Sequence, residues 1–562
     1  MNTKKKFSLT TTQIILLSFL VTILVGSFLL ALPVSAADGV TVSYTDALFT
    51  ATTATCVTGL VTLPTFSTWS VFGQAVILAL IQIGGLGVIT IMSGLMILLN
   101  KKMGIGDRLL IQDAFNLNTM TGLTKFVSNV LFGTLVIEGV GALLYMLVFV
   151  PEFGAKGVWI SVFNAVSAFC NAGMDIIGED SLCRYATNPL INTVTSLLII
   201  LGGLGYIVWW DVLRVVRART PKNKRIFRHL TLHSKIAVTF TLALVFGGAF
   251  LIFLFEFHNP LTIGNMSVFD KMQVSLFQSV TTRTAGYATV AQEDLTNASA
   301  AVSLILMLIG GSPVGTAGGI KTVTVAVLFC SAFATIRNKK AASLFGRRLS
   351  EASVKKAVAV AVTFLTICTA STLALLATAD APALDVVYET VSASATVGLS
   401  RNLTANLNLT GKFIIIVTMY FGRVGPISLA VALGSQSESQ NVVSDPTEEI
   451  CVGYRRNHMF NKKTYAVFGL GRYGAAVAKE LVDNGKEVLA IDKSQKLVND
   501  AAAYLPVCKC ADVTDAEVIS RLDIGSIDTV IVCMAEHLES SVMAVTLCKE
   551  AGVPTVIAKC AN

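Results

Sequence analysis

One short, glycine-bearing break occurs four times along this chain, each time between long apolar runs. The four copies are Cys56-Val57-Thr58-Gly59, Asn171-Ala172-Gly173, Thr284-Ala285-Gly286 and Thr396-Val397-Gly398. Their glycines lie 173−59 = 114, 286−173 = 113 and 398−286 = 112 residues apart. An aromatic residue precedes each glycine by nine or ten positions: Phe49, Phe163, Phe277 and Tyr388. A fixed period means one structural unit repeated, so the fold has to be built from four copies of it.

Composition sets the solvent. Of 562 residues, 53% are hydrophobic and 14% charged, against about 25% charged in soluble domains. This predicts a polytopic membrane protein carrying some soluble material. The net charge of +8 gathers at Lys4–Lys6, Lys101-Lys102, Arg214–Arg228, Arg337–Lys340, Arg347-Arg348 and Lys355-Lys356. These clusters abut apolar spans at every second crossing. That fits cytoplasmic loops under the positive-inside rule better than nucleic-acid binding.

Each repeat reads as span, short re-entrant helix, break, span. The repeats cover about 11–99, 125–215, 234–336 and 354–433, giving eight crossings with both termini inside. The short helices, about Thr45–Ala54, Ile160–Phe169, Lys271–Thr281 and Val386–Ser394, cannot cross a bilayer that needs about 20 residues. The apolar run Ile14–Leu32 is long for a secretory signal and is read as a retained helix. No apolar run long enough to span follows Ser435.

A glycine cluster follows each break in the second span. Gly84-Gly85-Leu86-Gly87 and Gly202-Gly203-Leu204-Gly205 read as close packing inside continuous helices. Repeat three differs. Gly310-Gly311-Ser312-Pro313-Val314-Gly315-Thr316-Ala317-Gly318-Gly319-Ile320-Lys321-Thr322 holds five glycines and a proline, so a regular helix is not expected there. Unwound backbone at membrane depth is tolerated where it is buried or lines water, and the segment reads as a flexible gate below the breaks. Arg423, within the last span, should face the bundle interior or a water-filled path. Glu138 has no counterpart in the other repeats and reads as a structural partner.

Residues 436–462 form a polar linker. The β-like run Thr464–Phe468 then leads into Gly469-Leu470-Gly471-Arg472-Tyr473-Gly474 and a helix-like stretch. A second strand ends at Asp492, 23 residues after Gly469. Strand, glycine turn, helix and distant acid together make a dinucleotide-binding fingerprint. Glycines let backbone N–H groups approach phosphate at a helix start. Gly469, Gly471, Arg472, Tyr473 and Gly474, with Asp492-Lys493 and Asp512-Val513 at later strand ends, are the candidate nucleotide contacts. Strands are also expected at Pro506–Cys510, Thr529–Cys533 and Thr555–Lys559. A complete sheet of this type continues to a sixth strand, so either the lobe is minimal or the chain was cut short.

The predicted fold is therefore an α-helical membrane domain, 1–435, with four pore repeats about one pseudo-fourfold axis, then an α/β Rossmann-like lobe, 463–562. At four such breaks, backbone carbonyls can replace a cation's hydration shell. Re-entrant helices ending at the centre add partial negative charge. Asp175 lies beside the second break, either concentrating cations at the outer mouth or sitting in a solvated loop. The eleven cysteines show no disulfide framework, and Cys508-Lys509-Cys510 lacks further ligands at metal spacing. His229 and His233 lack the intervening Glu of a zinc-protease helix. A membrane oxidoreductase would need a substrate domain and acid–base groups that the last hundred residues do not supply, so no enzyme is expected.

These motifs resemble the Trk/Ktr/HKT superfamily of potassium transporters, in its KtrB-type or TrkH-type pore subunit. Residues 463–562 resemble the N-lobe of an RCK domain, the KtrA or TrkA regulatory module. The resemblance implies that Gly59, Gly173, Gly286 and Gly398 are selectivity-filter glycines holding K+. Four glycines imply potassium over sodium. It further implies a gate of Gly310, Gly311, Ser312, Pro313, Gly315, Thr316, Ala317, Gly318, Gly319 and Lys321, with Arg423 projecting beneath the filter. It implies a homodimer with one pore per subunit in the bacterial inner membrane, and lobes that associate with each other or with a separate regulatory subunit. ATP, ADP or NAD(H) would be the regulatory ligand. A sodium- or proton-coupled symporter uses the same scaffold and stays an alternative. The chain departs from the family pattern in joining pore and regulator and in lacking the regulator's C-terminal lobe.

Overall fold

The computed structural model describes residues 10–99, 104–114, 122–218, 226–337, 339, 341–425, 463–534 and 538–559. The linker 436–462, residues 426–433 of the last span, Lys4–Lys6, Lys101-Lys102, Lys340 and part of the Arg214–Arg228 cluster lie outside them. The chain divides into two compact units, Met1–Glu438 and Ser439–Asn562.

Among the described residues of the first unit, four helices are long and apolar enough to cross a membrane: Thr11–Leu30, Leu123–Phe153, Leu232–Glu256 and Glu351–Leu376. Each is the first helix of a repeat. Short polar caps fix where many of the helices begin. Thr10, Thr231 and Ser350 accept hydrogen bonds from the first turns of their helices, and Ser70, Asn188, Thr296 and Asn408 do so in the second halves of the repeats. Such a cap satisfies N–H groups that have no partner within the helix.

The short helices run Tyr44–Cys56, Lys156–Cys170, Val268–Thr281 and Ala383–Ala395. Their aromatics Phe49, Phe163, Phe277 and Tyr388 are almost fully buried. This explains the recurring aromatic of the sequence period. One bulky side chain per repeat anchors each pore helix among the spans.

The second spans depart from expectation. Val71–Leu99 and Leu190–Val215 are not continuous helices with packed glycines. Val71–Leu86 and Val88–Leu98 meet at 98°, and Pro189–Leu204 and Tyr206–Arg217 at 95°. The corners are Gly87 and Gly205, at φ 87° and 85°, where any side chain would be strained. The break at Gly205 is stabilised from outside: Tyr206 N–H donates to the Val314 carbonyl at 3.0 Å. The packing role also holds, one turn earlier. A Cβ on Gly84, Gly202 or Gly422 would collide with the carbonyl of Thr55, Phe169 or Ser394, each four residues before its break glycine. In repeat three, Asn297–Leu308 and Thr322–Ile336 are separated by a non-helical stretch, as the glycines and proline predict.

The second unit is a five-stranded parallel sheet. Its strands are β1 (Thr464–Phe468), β2 (Glu487–Asp492), β3 (Cys508–Cys510), β4 (Thr529–Val532) and β5 (Thr555–Ala558), in the order β3-β2-β1-β4-β5. Val467 on β1 registers with Ala490 on β2 and Ile531 on β4. Helices cover both faces, so the central strands read as apolar runs rather than alternating ones. The order reverses between β1 and β4, and ligands of such sheets bind at that switch point.

Candidate functional site

The four breaks meet. A Cβ on Gly59 would strike the Ala172 carbonyl oxygen, one on Gly173 the Ala285 oxygen, one on Gly286 the Val397 oxygen and one on Gly398 the Thr58 oxygen. The contacts run from repeat one to two, two to three, three to four and four back to one, closing a ring of backbone. All four glycines have positive φ: 98°, 64°, 85° and 97°.

Two residues before each glycine stands a non-glycine in the left-handed region: Val57, Asn171, Thr284 and Thr396, at φ 56°, 61°, 65° and 52°. Each costs about 1 kcal/mol or more. The turn is held by residues that sequence reasoning missed. Thr53 and Ser392 hydroxyls accept from the N–H of Gly59 and Gly398, both at 3.0 Å. Ser167 and Thr281 hydroxyls donate to the carbonyls of Met174 and Tyr287, both at 2.6 Å. Their signal in the sequence is a hydroxyl five or six residues before each break glycine. Cys56 closes its pore helix and is buried among Phe49, Leu60 and Met419, so its thiol belongs to the packing.

Above the ring opens a cavity of about 750 Å³ whose lining includes all four glycines. Asp175 lines it, as do Glu179, Asp180 and Glu293, which the sequence reading passed over; no Lys or Arg does among the described residues. Asp175 Oδ1 also accepts from Ile177 N–H at 3.3 Å, so it both shapes the loop and faces the mouth.

Below the ring lies the Gly310–Thr322 stretch. Gly310 N–H pairs with the Ile320 carbonyl at 3.0 Å, and Thr322 N–H with the Gly311 carbonyl at 2.9 Å, closing its base. Ser312 Oγ and Thr322 Oγ1 lie 3.0 Å apart, and Lys321 donates to the Ala317 carbonyl at 2.5 Å. Two guanidinium groups, of the buried Arg283 and the partly buried Arg423, grip the segment. Arg423 donates to the Thr316 carbonyl at 2.5 Å and to the Gly84 carbonyl at 2.6 Å. Arg283 donates to the Gly310 carbonyl at 3.0 Å. Arg283 was not singled out from sequence, although it takes the place of Cys56, Cys170 and Ala395 in the other repeats. Glu138 is buried and accepts from Gln82 Nε2 at 3.2 Å, the structural pairing expected of it.

In the second unit, Gly469–Gly474 links β1 to the helix Arg472–Asp483. Gly469 has φ 90°, and a Cβ on Gly474 would collide with the Gly469 carbonyl. Gly471 differs: its φ is −61°, and a Cβ there meets nothing within 4 Å. Folding therefore does not demand glycine at 471, which leaves open space where a phosphate would approach the helix start. Asp492 accepts from Leu470 N–H at 2.6 Å and Ser494 N–H at 2.7 Å, fixing its carboxylate at the end of β2. Lys493 follows it, and its carbonyl accepts from the Cys510 thiol at 3.5 Å. The Thr514 hydroxyl and backbone N–H hold the Asp512 carboxyl below the usual carboxylate range. Tyr473 is half-exposed, with Lys559 Nζ 4.3 Å from its ring centre. Val513 is buried in the core with Phe468 and Ile519. Gly471 and Arg472 at the helix start could hold a phosphate, and Asp492 at the end of β2 a ribose hydroxyl.

The sequence matches the TrkH family, described as cation transport protein, over residues 2–444, and the TrkA-N domain over residues 465–562. It is 40% identical over 426 residues to the potassium/sodium uptake protein NtpJ of Enterococcus hirae, covering 75% of this chain and 92% of that protein. It is 38% identical over 442 residues to the Ktr system potassium uptake protein B of Bacillus subtilis, covering 78% and 96%. Its C-terminal part is 38% identical over 97 residues to the Ktr system potassium uptake protein A of Vibrio alginolyticus, covering 17% of this chain and 44% of that protein. The crystal structure of the potassium transporter TrkH from Vibrio parahaemolyticus shares the fold, with TM-score 0.62 at 17% identity over 77% of this chain and 87% of that one.

Proposed function

The chain belongs to the TrkH family of cation transport proteins, and from that premise we propose a potassium-selective uptake pore whose fused C-terminal lobe regulates it by binding nucleotide. Potassium uptake is the activity carried by the Ktr relatives' names. The observation that carries the selective pore is the closed ring of backbone carbonyls from Thr58, Ala172, Ala285 and Val397. Carbonyls of this kind replace water around a partly dehydrated cation. Thr58, Ala172, Ala285 and Val397 would coordinate K+, and residues 310–321 would close the path beneath, held shut by Arg423. The protein would sit in the bacterial inner membrane with both termini cytoplasmic, as a homodimer of pores. The lobe would take ATP, ADP or NAD(H) and associate with other lobes or with a separate regulatory subunit.

Potassium and sodium flux into liposomes holding the purified chain, with and without ATP, ADP or NADH, tests both halves. Potassium-selective flux that answers to one nucleotide is the expected result; unselective flux overturns the pore. The potassium/sodium name of the Enterococcus hirae relative favours sodium coupling as a second reading. Potassium flux that persists at zero sodium would remove it.

Two variants test parts of the reading. Asp175→Asn should slow potassium entry about two- to fivefold at low ionic strength, because mouth charge concentrates cations. At about 0.5 M salt the difference should fade, since screening is then short-ranged. An unchanged rate at low salt would return Asp175 to loop structure alone. Gly471→Ala should leave thermal unfolding of the chain unchanged but weaken nucleotide binding about tenfold, the worth of one charge-assisted hydrogen bond. Gly474→Ala, by contrast, should lower stability by about 1–3 kcal/mol through overpacking. Isothermal titration with ADP and a melting curve separate the two; equal affinity of Gly471→Ala and parent would move the ligand elsewhere.

A further inference from the structure

The left-handed residues of the ring hold more than their own turns. Asn171 Oδ1 accepts from the Thr316 hydroxyl at 2.8 Å, and the same hydroxyl lies 3.1 Å from the Phe169 carbonyl. Thr284 Oγ1 accepts from Gly318 N–H at 3.2 Å. The Thr396 hydroxyl abuts Gly318 so closely that a Cβ there would collide with it. Repeats two, three and four thus each set a polar side chain against the Gly310–Thr322 stretch. Repeat one has Val57 at this place, 3.0 Å from where a Cβ on Gly84 would lie. Gly84 is tied to the segment instead through Arg423, which bridges its carbonyl to that of Thr316. The segment therefore touches three quarters of the ring directly and is linked to repeat one through Arg423. In repeats two to four it does so through the residue just before the carbonyl that meets the neighbouring repeat's glycine.

We propose that Asn171, Thr284 and Thr396 are specificity-determining positioning residues, through which the segment at 310–322 sets the width of the carbonyl ring. The inference rests on the pore reading above and deepens it. A plug that only blocked the path would need steric bulk, not the hydrogen bonds that Thr316 and Gly318 make to the side chains of Asn171 and Thr284. Because the carbonyls of Ala172, Ala285 and Val397 follow these residues directly, any displacement of the segment shifts them. By linkage, potassium in the ring and the seated segment stabilise each other by the same factor. Withdrawal of the segment then opens the path and loosens ion discrimination in one movement.

Thr316→Val removes the hydroxyl at almost constant volume and is the direct test. In liposomes holding the full chain, the ratio of potassium to sodium flux should fall about fivefold, as loss of one buried hydrogen bond implies. Basal flux should rise with it, and Thr316→Ser should restore the parent ratio. Asn171→Leu breaks the same bond from the other side and carries the test if Thr316→Val fails to fold. The double variant should lose no more than either single one. Raised flux at the parent's ratio in these variants would overturn the proposal and leave the segment as a plug. A parent without potassium selectivity would instead overturn the pore reading itself.

Discussion

Replacing Gly59 by serine should cut potassium-over-sodium discrimination about tenfold or more, the largest effect expected of any single substitution in the ring. Two causes act together. Gly59 has φ 98°, which a side-chain-bearing residue adopts only with strain, on the order of 1–3 kcal/mol. Its new Cβ would also strike the Ala172 carbonyl oxygen, a member of the ring itself. Relief of either moves a coordinating oxygen. The Thr53 hydroxyl, 3.0 Å from Gly59 N, would have to follow. Competition of sodium with potassium uptake in liposomes measures the effect. A ratio equal to the parent's would mean that Gly59 does not shape an ion site.

Deleting Gly315–Gly319 should raise basal flux by a comparable or larger factor. The deletion removes the Thr316 bonds to Asn171, Phe169 and Arg423, and the bond from Gly318 N–H to Thr284. At about 1 kcal/mol for each buried bond, even a partial loss near 3 kcal/mol corresponds to about a hundredfold shift toward the open state. Arg423 would remain on Gly84 and Gly85 but would no longer reach across the path. Flux measured without nucleotide reports the change. Parent-level flux in a correctly inserted variant would return the stretch to plain packing.

The fold was legible where a pattern repeats. Four breaks at near-equal spacing, each with its aromatic, located the pore helices to within a few residues. The glycine fingerprint with Asp492 located the strand, turn and helix around Gly469–Gly474. Legibility ended where a partner distant in sequence decides the backbone. Gly87 and Gly205 sit in apolar runs that read as continuous helix. What turns the chain at Gly205 is a bond from Tyr206 to Val314, more than a hundred residues away. Arg283 went unremarked because a lone cation beside a break carries no spacing signal. Its partner among the described residues, the Gly310 carbonyl, lies 27 residues along the chain. The hydroxyls of Thr53, Ser167, Thr281 and Ser392 were present as a pattern but read as part of the pore helices.

The four quarters of the ring are parts of one polypeptide, and that changes what mutation can do to it. Where four identical subunits build a pore, every substitution enters four times, and evolution must accept all four or none. Here Val57 can be apolar while Asn171, Thr284 and Thr396 are polar, and Arg283 can occur in one quarter alone. A single segment beneath the ring, supplied by the third repeat only, can therefore engage three of its quarters without being copied into the others. Selectivity in such a chain is tunable in quarter steps, one side chain at a time.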